Sequence, residues 1–274
     1  MSFLAVLAVS AASAGSCDSQ LAKIATLPAE NAGTAFADLA KCDRKIAEAN
    51  FLKYLERATD ADAAVTLLLA AVDSDVWNPV WGSLSKITSY EARDEVAERV
   101  GGACAEHPKV VAFLEGAYFG LRDIEFQQWD DGFRACSDAG LSTWVEKQVA
   151  APPNKMFDEK FNALMDIFVK AKGVEALPAL TTGAVKAAKD GGPFDPMLMK
   201  MGEAVAPKLG AQISAEDQKK LEDALISVAK QVPADKARSV ANQLANSGAD
   251  AAAAQLLPTL FPDRVQSKIG RAHV

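Results

Sequence analysis

The sequence predicts an all-α protein built from helical hairpins that stack as an α-solenoid or superhelical array. Apolar residues recur three or four positions apart, which is the spacing of one helix face. Alternating runs rich in Val, Ile and Thr, the pattern of strands, are absent from the sequence. Glycines, prolines and capping residues interrupt the chain every roughly 15 to 20 residues, which favours many short helices. The clearest apolar stripe consists of Phe157, Phe161, Leu164, Met165 and Phe168.

Residues 1–14 are predicted to be a signal peptide. They form an uncharged apolar run that ends in Ala12-Ser13-Ala14, a cleavage site of the A-x-A type. The run lacks the basic residues that usually open a signal peptide. It is too short for a transmembrane anchor, which needs about 18 or more apolar residues. An alternative interpretation makes Cys17 a lipidated N-terminus after a degenerate lipobox. Either interpretation predicts a periplasmic or extracellular protein.

The four cysteines, Cys17, Cys42, Cys104 and Cys136, are predicted to form disulfides, because an even number in an oxidising compartment favours pairing. Three connectivities are open. Proximity along the chain favours Cys17–Cys42 and Cys104–Cys136, since each interval has the length of two short helices and a turn. Lipidation of Cys17 would remove it from pairing. Metal binding would need clustered cysteines and histidines, so no metal site or cofactor is predicted.

Two breaks organise the rest of the chain. Ala151-Pro-Pro-Asn154 stops a helix, because proline lacks the amide donor and pushes its predecessor out of α geometry. It predicts a boundary between a disulfide-clipped subdomain at 15–150 and a second helical subdomain at 155–267. Further along, Ser214 stands three residues before Asp217 and is predicted to cap a helix.

A short motif recurs in the second subdomain. Leu177-Pro178-Ala179-Leu180 and Leu257-Pro258-Thr259-Leu260 share Leu-Pro-x-Leu, and they are separated by two units of roughly 40 residues. Because they share this motif and this period, residues 155–267 resemble HEAT repeats. The Asp and Arg that usually follow the motif in HEAT repeats are missing from this sequence. The resemblance implies stacked helical hairpins.

The last residues, Lys268 to Val274, resemble the translation of a short-read sequencing adapter. This resemblance implies that the native coding sequence ends near Ser267, and the other interpretation is a basic tail. We expect residues 268–274 to contribute nothing to the fold.

The charge balance excludes some partners. The chain has 29 basic and 36 acidic side chains and a net charge of −7. Nucleic acids and anionic membranes require clustered Lys and Arg, which the sequence does not contain. No second apolar segment is long enough to span a bilayer.

Few residues suit catalysis. His107 is the only histidine before the adapter-like tail, and its position before Pro108 is typical of a helix end whose carbonyls it helps to satisfy. Met197, Met199 and Met201 could offer thioethers to copper, but they are interpreted as core residues. No catalytic, cofactor-binding or metal-ligating residue is assigned.

One aromatic and acidic group has the composition of a glycan-cleaving site, which needs two carboxylates beside the sugar. The spacing instead favours buried helix stripes with the acids facing water. The group comprises Trp77, Trp81, Tyr118, Phe119, Phe126, Trp129, Phe133 and Trp144 with Asp123, Glu125, Asp130 and Asp131.

The function predicted from these features is that of an exported, non-catalytic helical-repeat scaffold that binds a protein or a cell-envelope component. Solenoids present long surfaces and need no catalytic residues. A secreted glycan-active enzyme and a small-molecule or metal carrier are the alternatives. The sequence leaves the oligomeric state open.

Overall fold

The computed structural model describes residues 17–28, 31–58, 60–87, 89–206 and 213–256. Every regular element in these ranges is helical and none is a strand, which confirms the all-α prediction. The signal-peptide and lipobox residues, the second Leu-Pro-x-Leu copy and the adapter-like tail lie outside the described ranges.

The chain divides into two compact units, Met1–Leu141 and Ser142–Val274. The boundary predicted at Ala151–Asn154 lies further along the chain, within the second unit. There, these residues follow the end of a helix, as their prolines require.

The first unit is made of short helices joined by tight turns. Short 3₁₀ turns at Ser83–Lys86 and Ala103–Ala105 interrupt it. Its helices are 17–26 (α1), Ala32–Cys42 (α2), Arg44–Leu55 (α3), Ala61–Asp73 (α4), Asn78–Trp81 (α5), Tyr90–Gly102 (α6), Lys109–Gly120 (α7), Asp123–Gln127 (α8) and Asp130–Ala135 (α9). Ala139–Ala150 (α10) contains the division between the units.

Packing in the first unit centres on three of these helices. Helix α2 packs against α3 and α4, α4 packs against α6 and α7, and α6 packs against α7 and α9. The interior is fully apolar at Phe36, Leu68, Val96 and Phe113, none of which exposes more than 1% of its surface. Burial of these side chains drives the packing.

The second unit contains the longer helices. They are Glu159–Lys172 (α11), Leu177–Asp190 (α12), Phe194–Val205 (α13), Ala215–Ala229 (α14), Ala234–Asn246 (α15) and Asp250–Gln255 (α16). Helix α12 packs against α13 and α14, α13 packs also against α11 and α15, and α14 packs against α15. Each contact therefore joins a helix to its next neighbour or next but one.

Side-chain caps set several helix starts. The Ser214 hydroxyl accepts the amide of Asp217 at 3.0 Å, which confirms the predicted cap of α14. The Asp158 carboxylate accepts the amide of Phe161 at 2.9 Å and starts α11 at Glu159. Phe157 therefore precedes the helix and is 67% exposed, so its assignment to the helix stripe was wrong. The other stripe residues are buried in α11.

Candidate functional site

Two disulfides clip the first unit. Cys17 at the start of α1 is bonded to Cys42 at the end of α2, and Cys104 after α6 is bonded to Cys136 after α9. The Cα atoms of each pair are 5.6 Å apart. These are the two pairs predicted from proximity along the chain. All four cysteines are therefore held as cystine, and all but the half-buried Cys42 are buried.

Helices α6 and α9 touch through their backbones beside the second disulfide. A Cβ placed on Gly101 would overlap the carbonyl group of Gly132, and a Cβ on Gly132 would lie 2.9 Å from the carbonyl oxygen of Ala97. Glycine at both positions permits this approach. Helix α6 ends at Gly102, so Gly101 lies inside the helix.

The aromatic cluster of the first unit is structural. The indole N–H of Trp77 donates to Val72, that of Trp81 to Phe113 and that of Trp129 to Trp81, all to carbonyl oxygens at 3.0 to 3.2 Å. Packed indole N–H groups need such partners, and these donors are therefore not available to a sugar.

The predicted aromatic stripe is buried but is not one helix. Phe126, Trp129 and Phe133 are buried, as the core interpretation required. However, α8 ends at Gln127 and α9 begins at Asp130, so a turn carries Trp129 across to the Trp81 carbonyl. Trp77 and Trp81 are half-buried, and Trp81 packs where side chains are missing at Gly116 and Gly120.

The carboxylates beside this cluster are held by arginines of the same turns. Arg122 pairs with Glu125, and Arg134 pairs with Asp131. Hydrogen bonds from the Arg122 guanidinium hold the pKa of Glu125 below its ordinary value. A general acid that protonates a glycosidic oxygen needs a raised pKa. The electrostatics of Glu125 are therefore opposite to those of such an acid.

His107 ties α7 to α4. Its Nδ1 atom lies 2.5 Å from Oδ2 of Asp73, and Lys109 Nζ donates to Oδ2 of Asp75 at 2.9 Å. The backbone N–H of His107 donates to the carbonyl of Ala103 at 2.9 Å, whereas the ring reaches the Asp73 carboxylate at the end of α4. Asp75 has a φ of 60° in the turn that carries these acids.

Two of the three methionines of α13 belong to the core, and the core interpretation of Met199 was wrong. Met197 and Met201 are fully buried, and Met199 on the opposite face is 59% exposed. The Met197 thioether packs where Gly183 of α12 has no side chain. Within the described ranges, no three His, Cys, Asp or Glu side chains come together as metal ligands.

The same helix carries a half-buried ion-pair group. Lys200 contacts Asp166 of α11 and lies 2.5 Å from Glu203. Burial lowers the pKa of Lys200, but the hydrogen bonds to the two carboxylates outweigh it and the net direction is upward. The group joins α11 to α13.

Two features of the first unit remain as candidates for binding. The corner between α7 and α8 presents Phe119 and Ile124 to solvent, with 67% and 71% of their surfaces exposed. A cavity of about 280 Å³ opens between α3, α4 and α6. Hereafter we call these the α7–α8 corner and the α6 cavity. Sequence reasoning placed Phe119 in an aromatic core, and it found neither feature.

No helix in the described ranges is both long and apolar enough to cross a membrane. Comparison with protein-family models, curated proteins and solved structures finds no significant match to this chain.

Proposed function

We propose that this protein is an exported, non-catalytic helical scaffold that binds a partner protein through the α7–α8 corner. The observation that carries the proposal is the exposure of Phe119 and Ile124 next to Arg122. Aromatic residues and arginine are enriched at the centres of protein interfaces, where a few buried side chains provide most of the binding energy.

The corner is held from behind by packed aromatic rings. Tyr118 contacts Phe126 edge to face at 5.5 Å between ring centroids, and Phe126 contacts Phe133 at 5.3 Å. Leu121, between the helices, is buried. The Arg122 N–H donates to the Glu125 carboxylate at 3.3 Å and caps α8. A supported corner loses little conformational entropy when a partner binds.

The charge around the corner indicates the chemistry of the partner. Asp123 and Glu125 flank Ile124, and the chain as a whole has a net charge of −7. A partner surface with an apolar pocket and a rim of Lys or Arg would complement both properties, because opposite charges steer association and fix register.

Compartment and architecture are part of the proposal. The two disulfides support an oxidising compartment, since cytosolic thiols are normally kept reduced. Contacts of α11 to α15 between next and next-but-one neighbours support a HEAT-like α-solenoid arrangement of hairpins in the second unit.

The test is affinity capture from envelope and culture-supernatant extracts with three proteins: the wild type, the Phe119→Ser/Ile124→Ser double variant, and Met199→Gln as a control. The control removes an exposed apolar side chain of α13. We expect one set of partners to bind the wild type and the control and to be lost from the double variant. Circular dichroism establishes that the double variant is folded.

Two results would contradict the proposal. Equal capture by the double variant and the wild type would remove the corner from the interface. Hydrolysis of a glycan panel that is lost in Glu125→Gln would replace the scaffold with an enzyme.

A further inference from the structure

The lining of the α6 cavity is about half apolar, and three helices supply its apolar side chains. Leu55 ends α3, Ala64 lies in the second turn of α4, and Ala92 and Val96 lie one turn apart on α6. Leu55, Ala64 and Val96 are buried, with at most 5% of their surfaces exposed. The walls therefore belong to the packed interior of the unit, and they favour an aliphatic group as occupant.

The lining of the cavity carries one cation, Lys86, and two carboxylates, Glu56 and Asp60. Lys86 comes from the 3₁₀ turn before α6, and Glu56 directly follows α3. Neither side chain has a hydrogen-bond or ion-pair partner among the described residues. The neighbouring caps are occupied, because Asp60 accepts the amide of Ala63 and Ser89 accepts that of Ala92. Asp60 is thus engaged as a helix cap, and Lys86 and Glu56 are the charged groups of the lining without such a role.

Size limits what the cavity can hold. Its volume of about 280 Å³ lies just below the range of roughly 300 to 1,000 Å³ that is typical of small-molecule sites. A ligand of this size with one cationic end, one anionic end and an aliphatic body has the chemistry of a single amino acid.

From these observations we propose that the α6 cavity binds a free amino acid with an aliphatic side chain. The side chain enters between α4 and α6, the carboxylate meets Lys86 and the ammonium group meets Glu56. This site is separate in the sequence from the α7–α8 corner and does not depend on it.

The test is isothermal titration calorimetry of the full chain with L-leucine. Two analogues are the matched probes: 3-methylbutylamine, which lacks the carboxylate, and 4-methylpentanoate, which lacks the amine. For a ligand this small we expect a Kd between about 1 μM and 1 mM, with each analogue at least about tenfold weaker. The absence of saturable leucine binding at concentrations up to about 10 mM would overturn the proposal.

Substitutions assign the binding to the cavity. Lys86→Met and Glu56→Gln should each weaken leucine binding at least about tenfold, and Ala92→Leu should abolish it by filling the space. Lys147→Met and Glu146→Gln, exposed positions of α10, are the charge controls and should bind as the wild type. Leucine binding that survives Ala92→Leu, or that the controls weaken equally, would refute the assignment.

The Phe119→Ser/Ile124→Ser variant separates this proposal from the scaffold function. It should bind leucine with the affinity of the wild type, whatever the outcome of the capture experiment. Each variant is first compared with the wild type by circular dichroism.

Discussion

Replacing Gly101 by alanine should destabilise the first unit, although alanine is the better helix former. Gly101 lies in α6, where the added methyl group would overlap backbone atoms of Gly132 in α9. Backbone atoms cannot rotate away as a long side chain can. The Cys104–Cys136 bond, which follows both helices, opposes their separation.

The two opposing effects can be compared in magnitude. Overpacking a tight contact typically costs about 1 to 3 kcal/mol. Because the neighbour at Gly101 is rigid backbone, we expect a cost of about 3 kcal/mol for Gly101→Ala. Alanine is favoured over glycine within a helix by about 1 kcal/mol. The net loss of unfolding free energy is therefore about 2 kcal/mol, and each kcal/mol lowers Tm by roughly 2 to 4 °C in a chain of this size class.

The neighbouring glycine is the matched control. A Cβ on Gly102 would have the Ala135 Cβ at 4.0 Å as its nearest neighbour, an ordinary contact. Gly102→Ala should therefore leave Tm unchanged or raise it slightly. Thermal unfolding followed by circular dichroism at 222 nm measures both variants. If Gly101→Ala raised Tm as much as Gly102→Ala, the backbone contact of α6 and α9 would be refuted.

Two further predictions concern the disulfides and a buried phenol. Replacing both Cys104 and Cys136 by alanine should reduce the unfolding free energy by about 3 to 4 kcal/mol, the loop-entropy value for this interval; a denaturant midpoint equal to that of the wild type would contradict it. Burial raises the pKa of Tyr54, with Arg57 opposing it more weakly. The fold thus favours the neutral phenol of Tyr54. The contribution of this group to the free energy of unfolding is present below the ordinary pKa near 10, and it is lost as pH rises through the folded-state pKa. Between pH 8 and pH 11 the wild type should lose more Tm than Tyr54→Phe, and equal losses would exclude this role.

The helices were predictable where their signals are local. Caps and apolar periodicity act within one or two turns, so the start of α14 at Ser214 and the buried face of α11 follow from neighbouring residues. The disulfide pairing was also predictable, because short intervals favour local pairs. Phe157 was misassigned because it fits the periodicity of α11, whereas the Asp158 cap starts the helix only after it.

The aromatic residues show where periodicity stops being sufficient. Spacing placed Phe126, Trp129 and Phe133 on one helix, and burial followed correctly from their apolar character. The turn between α8 and α9 satisfies the indole donor of Trp129 with a carbonyl far away in the sequence. Sequence spacing contains no information about such a tertiary partner, so the break could not be predicted.

The candidate sites depend on the same kind of long-range information. Glu56 and Lys86 are ordinary surface charges in the sequence, and they share a rim only because α3, α4 and α6 leave a gap between their small side chains. Phe119 has the apolar character of the aromatic core and its ring contacts Tyr118, yet it lies next to the end of α7 and 67% of its surface is exposed. Composition indicates which residues can be buried. The position at which a helix ends determines which of these apolar residues stays exposed. A binding surface made of such residues can be found only after the packing is known.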